Sequence, residues 1–243
     1  MSELLLTALF GLVALLYATV GQAGGTAFLA LMAFAAFAPG EMRPTALALN
    51  IVAALCSTFI FNRGRLIRWA KLAPLLSASV PATLIGALIV LDASLYRIVT
   101  GVVLLIAAAV MILRRAGDDE SPPRLPLPGS IAIGGAVGFV SGLTGVGGGV
   151  FLAPVMIALR WATPKETSAL SAPFILVNSA VGLAGAVMVG EHPAPHTLVY
   201  GAAAVIGAVI GASLGLRWLS QNLTRYVLAA ILAAAGLQLL FLA

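Results

Sequence analysis

The chain is a succession of ten apolar runs, each long enough or nearly long enough to cross a lipid bilayer. They cover residues 4–20, 24–38, 45–61, 72–91 and 95–113 and, beyond a polar stretch, 129–143, 147–159, 167–189, 197–216 and 223–243. A crossing helix needs about 20 apolar residues. Only helices and closed barrels satisfy their backbone in hydrocarbon. The runs are continuous and do not alternate with polar residues, so they are read as helices and not as barrel strands. Composition agrees: 61% of the residues are hydrophobic and 9% charged, where a soluble domain has roughly 45–50% and 25%. That balance excludes a soluble enzyme, a nucleic-acid binder and a secreted disulfide scaffold. The single cysteine, Cys56, lies in an apolar run and reads as a small core residue. The first ten residues carry Glu3 and no Lys or Arg. They lack the basic start of a cleavable signal, so the first run is expected to be a permanent span.

The stretch RRAGDDESPPRLPLP, residues 114–128, is charged and rich in proline, and it divides the chain. The halves on either side resemble one another. GQAGGTAFLALM (Gly21 to Met32) lies over GVGGGVFLAPVM (Gly145 to Met156), and RPTALALN (Arg43 to Asn50) lies over ETSALSAP (Glu166 to Pro173). Further on, Gly86 falls opposite Gly211 and Arg97 opposite Arg225. Collinear matches of this kind point to duplication. The expected organisation is an all-α polytopic membrane protein made of two repeats, 1–113 and 129–243, of about five helical segments each, joined by the cytoplasmic linker 114–128.

Five segments per half is an odd number, so the second repeat should be inverted. The loop NRGRLIRWAK, from Asn62 to Lys71, has four basic residues, whereas its mate GEHPAPH, from Gly190 to His196, has none. Basic residues are retained on the cytoplasmic side. Inverted repeats put these two loops on opposite sides, as that rule requires. Threading from a periplasmic N-terminus to a periplasmic C-terminus places eleven of the thirteen Lys and Arg residues inside, and only Arg43 and Arg97 outside. The net charge of +5 is therefore a topology signal and carries no nucleic-acid reading.

Two segments, 24–38 and 147–159, are short, and each follows a glycine-rich break. Short, glycine-interrupted segments at matching positions of two halves point to a transporter's binding site. The start of a helix exposes unpaired N–H groups and about half a positive charge, and glycine lets an anion approach them. The expected substrate site is therefore built on Gly24, Gly25, Gly147, Gly148 and Gly149, with Gln22, Thr26, Thr144, Asn50 and Asn178 adding side-chain hydrogen bonds. Ser57, Thr58, Ser171 and Ser179 are further polar residues within the runs. Isolated glycines such as Gly86, Gly182, Gly185, Gly207 and Gly211 are read as helix-packing positions.

Every carboxylate falls in a loop or at a span end. That argues against a mid-membrane proton or sodium relay. His192 and His196 sit in a proline-containing outer loop and read as surface residues. No zinc-binding HExxH pattern and no paired intramembrane aspartates occur, and the GASLG match of Gly211 to Gly215 lies inside an apolar run, so neither a catalytic residue nor a metal or other cofactor is expected.

The second copy, with Gly145-Val146-Gly147-Gly148-Gly149, then Pro154, then Ala169 to Asn178, resembles the sulfite exporter TauE/SafE family. The first copy departs from it, with Ala23 at the place of Gly147 and Ala30 at the place of Pro154. The resemblance runs from about Leu4 to Leu240. It implies movement of a sulfur-containing anion, such as sulfite or a sulfonate, across a bacterial inner membrane. Outward movement is downhill for an anion, by about 2.3 kcal/mol per charge per 100 mV. Two other readings fit the same residues: a passive anion channel, and a structural or assembly protein without a pathway. The expected partners are a small anion and the lipid bilayer; a homo-oligomer is allowed by the sequence but not required.

Overall fold

In a computed structural model, residues 2–89 and 126–218 are described, with scattered positions between 92 and 112 and between 226 and 240. The expected fifth and tenth segments and the linker lie largely outside the described residues. The rest forms eight helices: α1 (Glu3–Ala18), α2 (Gly25–Phe34), α3 (Pro39–Arg63), α4 (Trp69–Ala87), α5 (Leu127–Thr144), α6 (Gly149–Ala158), α7 (Pro164–Met188) and α8 (Thr197–Trp218). No strand occurs among the described residues. The protein is thus an all-α polytopic membrane protein.

Five of these helices, α3, α4, α5, α7 and α8, are long and apolar enough to cross a membrane. The ten-residue helices α2 and α6 rise only about 15 Å each, half a bilayer core of about 30 Å. Helix α3 starts six residues before the expected apolar run, because Pro39 supplies a first-turn residue whose missing N–H costs nothing there. The charges of Glu41 and Arg43 hid that first turn from a reading based on apolarity.

Helices α3 and α7, of 25 residues each, are the most buried of the spanning helices, and they lie against each other in opposite directions. Arg43, near the start of α3, pairs with Glu191 just beyond the end of α7. Glu166, near the start of α7, pairs with Arg68 in the loop that follows α3 and with Lys71 in the first turn of α4. Around this pair the helices cross between halves. Helix α1 packs on α8 and α4 on α5; α8 also packs on α3, and α4 on α7. Exchanging α1–α4 for α5–α8 turns this set of neighbours into itself.

Glycine makes the crossings close. Methyl groups on Gly134, Gly138 and Gly142 of α5 would lie 2.2, 2.5 and 2.0 Å from the backbone oxygens of Leu75, Ser79 and Thr83 on α4. On α8, methyls on Gly207, Gly211 and Gly215 would lie 2.0, 2.1 and 2.0 Å from the backbone oxygens of Gly11, Leu15 and Thr19 on α1. Four-residue spacing keeps each stripe on one helix face. Helix association in lipid relies on van der Waals contact, which such close approach provides. Large apolar side chains, among them Leu12, Leu16, Leu55, Phe59, Ile85 and Ile206, remain exposed on the outside of the bundle, as a lipid-facing surface requires.

Candidate functional site

Each short helix begins at a glycine turn that other residues could adopt only under strain. After α1, Gly21 and Gly24 have φ of 72° and 109°; after α5, Gly145, Gly147 and Gly148 have φ of 73°, 87° and 80°. Left-handed backbone of this kind costs an ordinary L-residue roughly 1–2 kcal/mol. Helices α2 and α6 follow directly, with Gly24 and Gly148 as their N-caps, and neither start is capped by a side chain. The N–H groups of their first residues, Gly25 and Gly149, therefore have no partner within their own helices.

The two breaks meet in the centre of the bundle. Gln22 Nε2 donates to the Gly149 carbonyl at 3.2 Å, and Asn50 Nδ2 donates to the Val146 carbonyl at 3.2 Å. A methyl on Gly25 would lie 2.6 Å from the Val146 oxygen and 3.2 Å from Asn50 Oδ1. A methyl on Gly149 would lie 2.8 Å from Gln22 Oε1, and one on Gly147 would lie 2.8 Å from Ser179 Oγ. Gly148 lies against Ser141 and Phe174. Side-chain amide oxygens thus stand beside the first residues of both α2 and α6, where the helix dipole favours negative charge.

Four oxygens around the breaks have no hydrogen-bond partner within the protein: Gln22 Oε1, Asn50 Oδ1, Ser141 Oγ and Ser179 Oγ. Their residues are at most 1% exposed. A buried polar group without a partner costs about 1–3 kcal/mol. Several together form an expensive cluster for a region that only packs. Among the described residues no cluster of His, Cys, Asp or Glu could hold a metal ion.

Nine of the ten residues expected from the sequence lie at or beside these turns: Gln22, Gly24, Gly25, Thr26, Asn50, Thr144, Gly147, Gly148 and Gly149. The side chains of Thr26, Thr144 and Asn178 bond away from the meeting of the two breaks. Thr26 Oγ1 is 3.0 Å from Tyr17 Oη within the first hairpin. Thr144 Oγ1 donates to the Val140 carbonyl at 2.7 Å. Asn178 turns toward α4: its Oδ1 accepts from Ser79 Oγ at 2.9 Å and Thr83 Oγ1 at 2.6 Å, and its Nδ2 donates to Phe174 O at 2.8 Å. Ser141 is the residue that sequence reasoning passed over. Its signal was position, one helical turn before the Gly145 break, where its carbonyl accepts from the Gly145 N–H. Ser179 was noticed as polar, but its closeness to Gly147 depends on how α7 packs.

The family model described as "Sulfite exporter TauE/SafE" matches residues 6–239. A "Probable membrane transporter protein y4hK" of Sinorhizobium fredii (strain NBRC 101917 / NGR234) is 37% identical over 237 residues, covering 96% of each chain. No solved structure matches. With a match over nearly its whole length, the chain belongs to the sulfite exporter TauE/SafE family, and so among membrane transporters and not enzymes.

Proposed function

We propose that the protein is a secondary transporter that exports a small sulfur-containing anion, sulfite or a sulfonate, across the bacterial inner membrane by alternating access. The central site consists of the starts of α2 and α6 together with Gln22, Asn50, Ser141 and Ser179. The observation that carries this reading is the meeting of two uncapped helix starts beside four buried, unpartnered oxygens. Oxyanions bind well at helix starts. The substrate's oxygens would take the places of the Gln22 and Asn50 amide oxygens, and the serine hydroxyls would donate to it. A membrane potential of 100 mV, negative inside, favours exit of a monoanion by about 2.3 kcal/mol, roughly fiftyfold in concentration.

The same proposal takes residues 1–113 and 129–243 as inverted repeats, with the linker 114–128 in the cytoplasm and both termini in the periplasm. The antiparallel contact of α3 with α7 and the exchange of partners between halves support it. Each ion pair also joins two helix ends or loops that the basic-residue bias puts on one side.

Proteoliposomes at set potentials, loaded with labelled sulfite, an alkanesulfonate or a carboxylate, test the reading. The expected result is electrogenic efflux of a sulfur oxyanion, accelerated by the same anion on the far side. Flux that ignores substrate on the far side, or no flux of any of these anions, would overturn it. Gly148→Leu, which places a branched side chain at φ 80° against Phe174 and Ser141, should abolish flux while the protein stays monodisperse in detergent.

A further inference from the structure

Two ion pairs bracket the bundle. At one end Arg43 Nε is 2.9 Å from Glu191 Oε2. The same guanidinium donates to the carbonyls of Ala87 at 2.5 Å and Ile89 at 3.3 Å. At the other end Glu166 Oε1 is 3.0 Å from Lys71 Nζ and 3.3 Å from Arg68 Nε, and Lys71 also donates to the Trp161 carbonyl at 3.1 Å. The register that lays Arg43 over Glu166 also lays Arg68 over Glu191, each 123 residues apart. The two contacts therefore occupy one position in the repeat, with the signs of charge exchanged.

Each contact also reaches a glycine break. The stem of Arg43 lies on Gly145, where a methyl would come within 2.5 Å of its Cγ. Gly21 lies on the backbone of Ser168, two residues beyond Glu166, where a methyl would come within 2.1 Å of the carbonyl oxygen. Arg43 is 8% exposed, so its charge is held by these partners and not by water. Breaking such a pair is strongly unfavourable unless both partners reach water together. That makes Arg43–Glu191 a two-position element and not a soft contact; Glu166 and Lys71 are largely buried too, at 11% and 17% exposure, while Arg68, at 66%, adds only a solvent-screened contact.

We propose that Arg43–Glu191 and Glu166–Lys71/Arg68 are positioning residues for transport: two latches, each sealing one face of the membrane, that open in turn. Helix α3 with its following loop and helix α7 with its following loop are the parts they clamp. Arg43–Glu191 closes the periplasmic face and Glu166–Lys71/Arg68 the cytoplasmic face. The assignment rests on the transporter reading above.

Side-specific labelling tests this without a substrate. With Cys56→Ser as background, a cysteine at Val146 reports access to the breaks for a membrane-impermeant maleimide, in right-side-out and inverted vesicles. Glu191→Gln should raise labelling from the periplasmic side about tenfold, and Glu166→Gln should do so from the cytoplasmic side only. Arg43→Glu with Glu191→Arg together should return periplasmic labelling toward the parent level. Glu191→Gln keeps the test valid if Arg43 variants fail to fold. Labelling that rises equally from both sides, or no change from either single variant, overturns the latches. Side-specific labelling in a protein that moves no anion would uphold the latches and overturn the transporter reading alone.

Discussion

The contact between the two breaks can be measured with a pair of substitutions. A methyl on Gly25 would stand 2.5 Å from Asn50 Nδ2 and 2.6 Å from the Val146 oxygen, about 0.8–0.9 Å inside ordinary van der Waals distance. Overpacking of this size costs about 1–3 kcal/mol. It also drives Asn50 off the Val146 carbonyl, leaving a buried acceptor at a further cost of about 1–3 kcal/mol. Gly25→Ala should therefore destabilise by about 2–6 kcal/mol. Asn50→Ala forfeits the same hydrogen bond and should cost about 1–3 kcal/mol. The two changes are not independent: removing the Asn50 amide relieves one of the two close approaches of the Gly25 methyl, leaving the one to the Val146 oxygen, and the carbonyl is orphaned only once. The double variant should thus be less destabilised than the two single changes summed, by a coupling of about 1–3 kcal/mol from the carbonyl that is orphaned only once. Equilibrium unfolding of purified protein in detergent, across all four members of the cycle, measures it. Gly40→Ala, which meets nothing within 4 Å, serves as the neutral control. Strict additivity would refute the reasoning, because it would mean that the α2 start, Asn50 and the Val146 carbonyl do not share one space.

Other outcomes follow from the same contacts. Gly142→Ala, whose methyl would lie 2.0 Å from Thr83 O, should cost at least about 2 kcal/mol by forcing α5 off α4, whereas Gly135→Ala, at 3.7 Å from Ala78 Cβ, should change stability by less than about 0.5 kcal/mol; thermal unfolding in detergent compares them. Ser141→Ala removes a hydroxyl without a partner. It should leave the melting temperature unchanged or raised while weakening anion affinity about tenfold, the worth of one hydrogen bond to a charged group, as read by transport KM. Asn178→Ala strips the shared acceptor of Ser79 and Thr83. It should lower stability by about 2–4 kcal/mol and leave the KM of the folded fraction unchanged; a raised KM at unaltered stability would place Asn178 in the site instead.

Much of the architecture was legible in the sequence because it depends on local properties. Continuous apolarity allows only a helix in lipid, and runs of glycine mark turns that other residues resist. The expected starts of the short helices, at residues 24 and 147, fall within two residues of the observed Gly25 and Gly149. The packing role read for Gly86 and Gly211 appears as backbone contact with Phe139 and Leu15. Boundaries were less legible where charge entered a helix, as at the first turn of α3.

The amino-acid sequence alone determined that this chain resides in a membrane, that it is helical, and where its helices break, since hydropathy and backbone preference belong to each segment by itself. Only the tertiary structure decided which polar groups meet. Gln22 finds a carbonyl 127 residues away and Asn50 one 96 residues away, because α1 packs on α8 and α4 on α5 across the halves. Asn178 faces α4 and not the breaks, and Arg43 finds Glu191, for the same reason. A buried amide or charge must be satisfied by whatever the packing brings near it, and nothing in the residue's own neighbourhood of sequence names that partner.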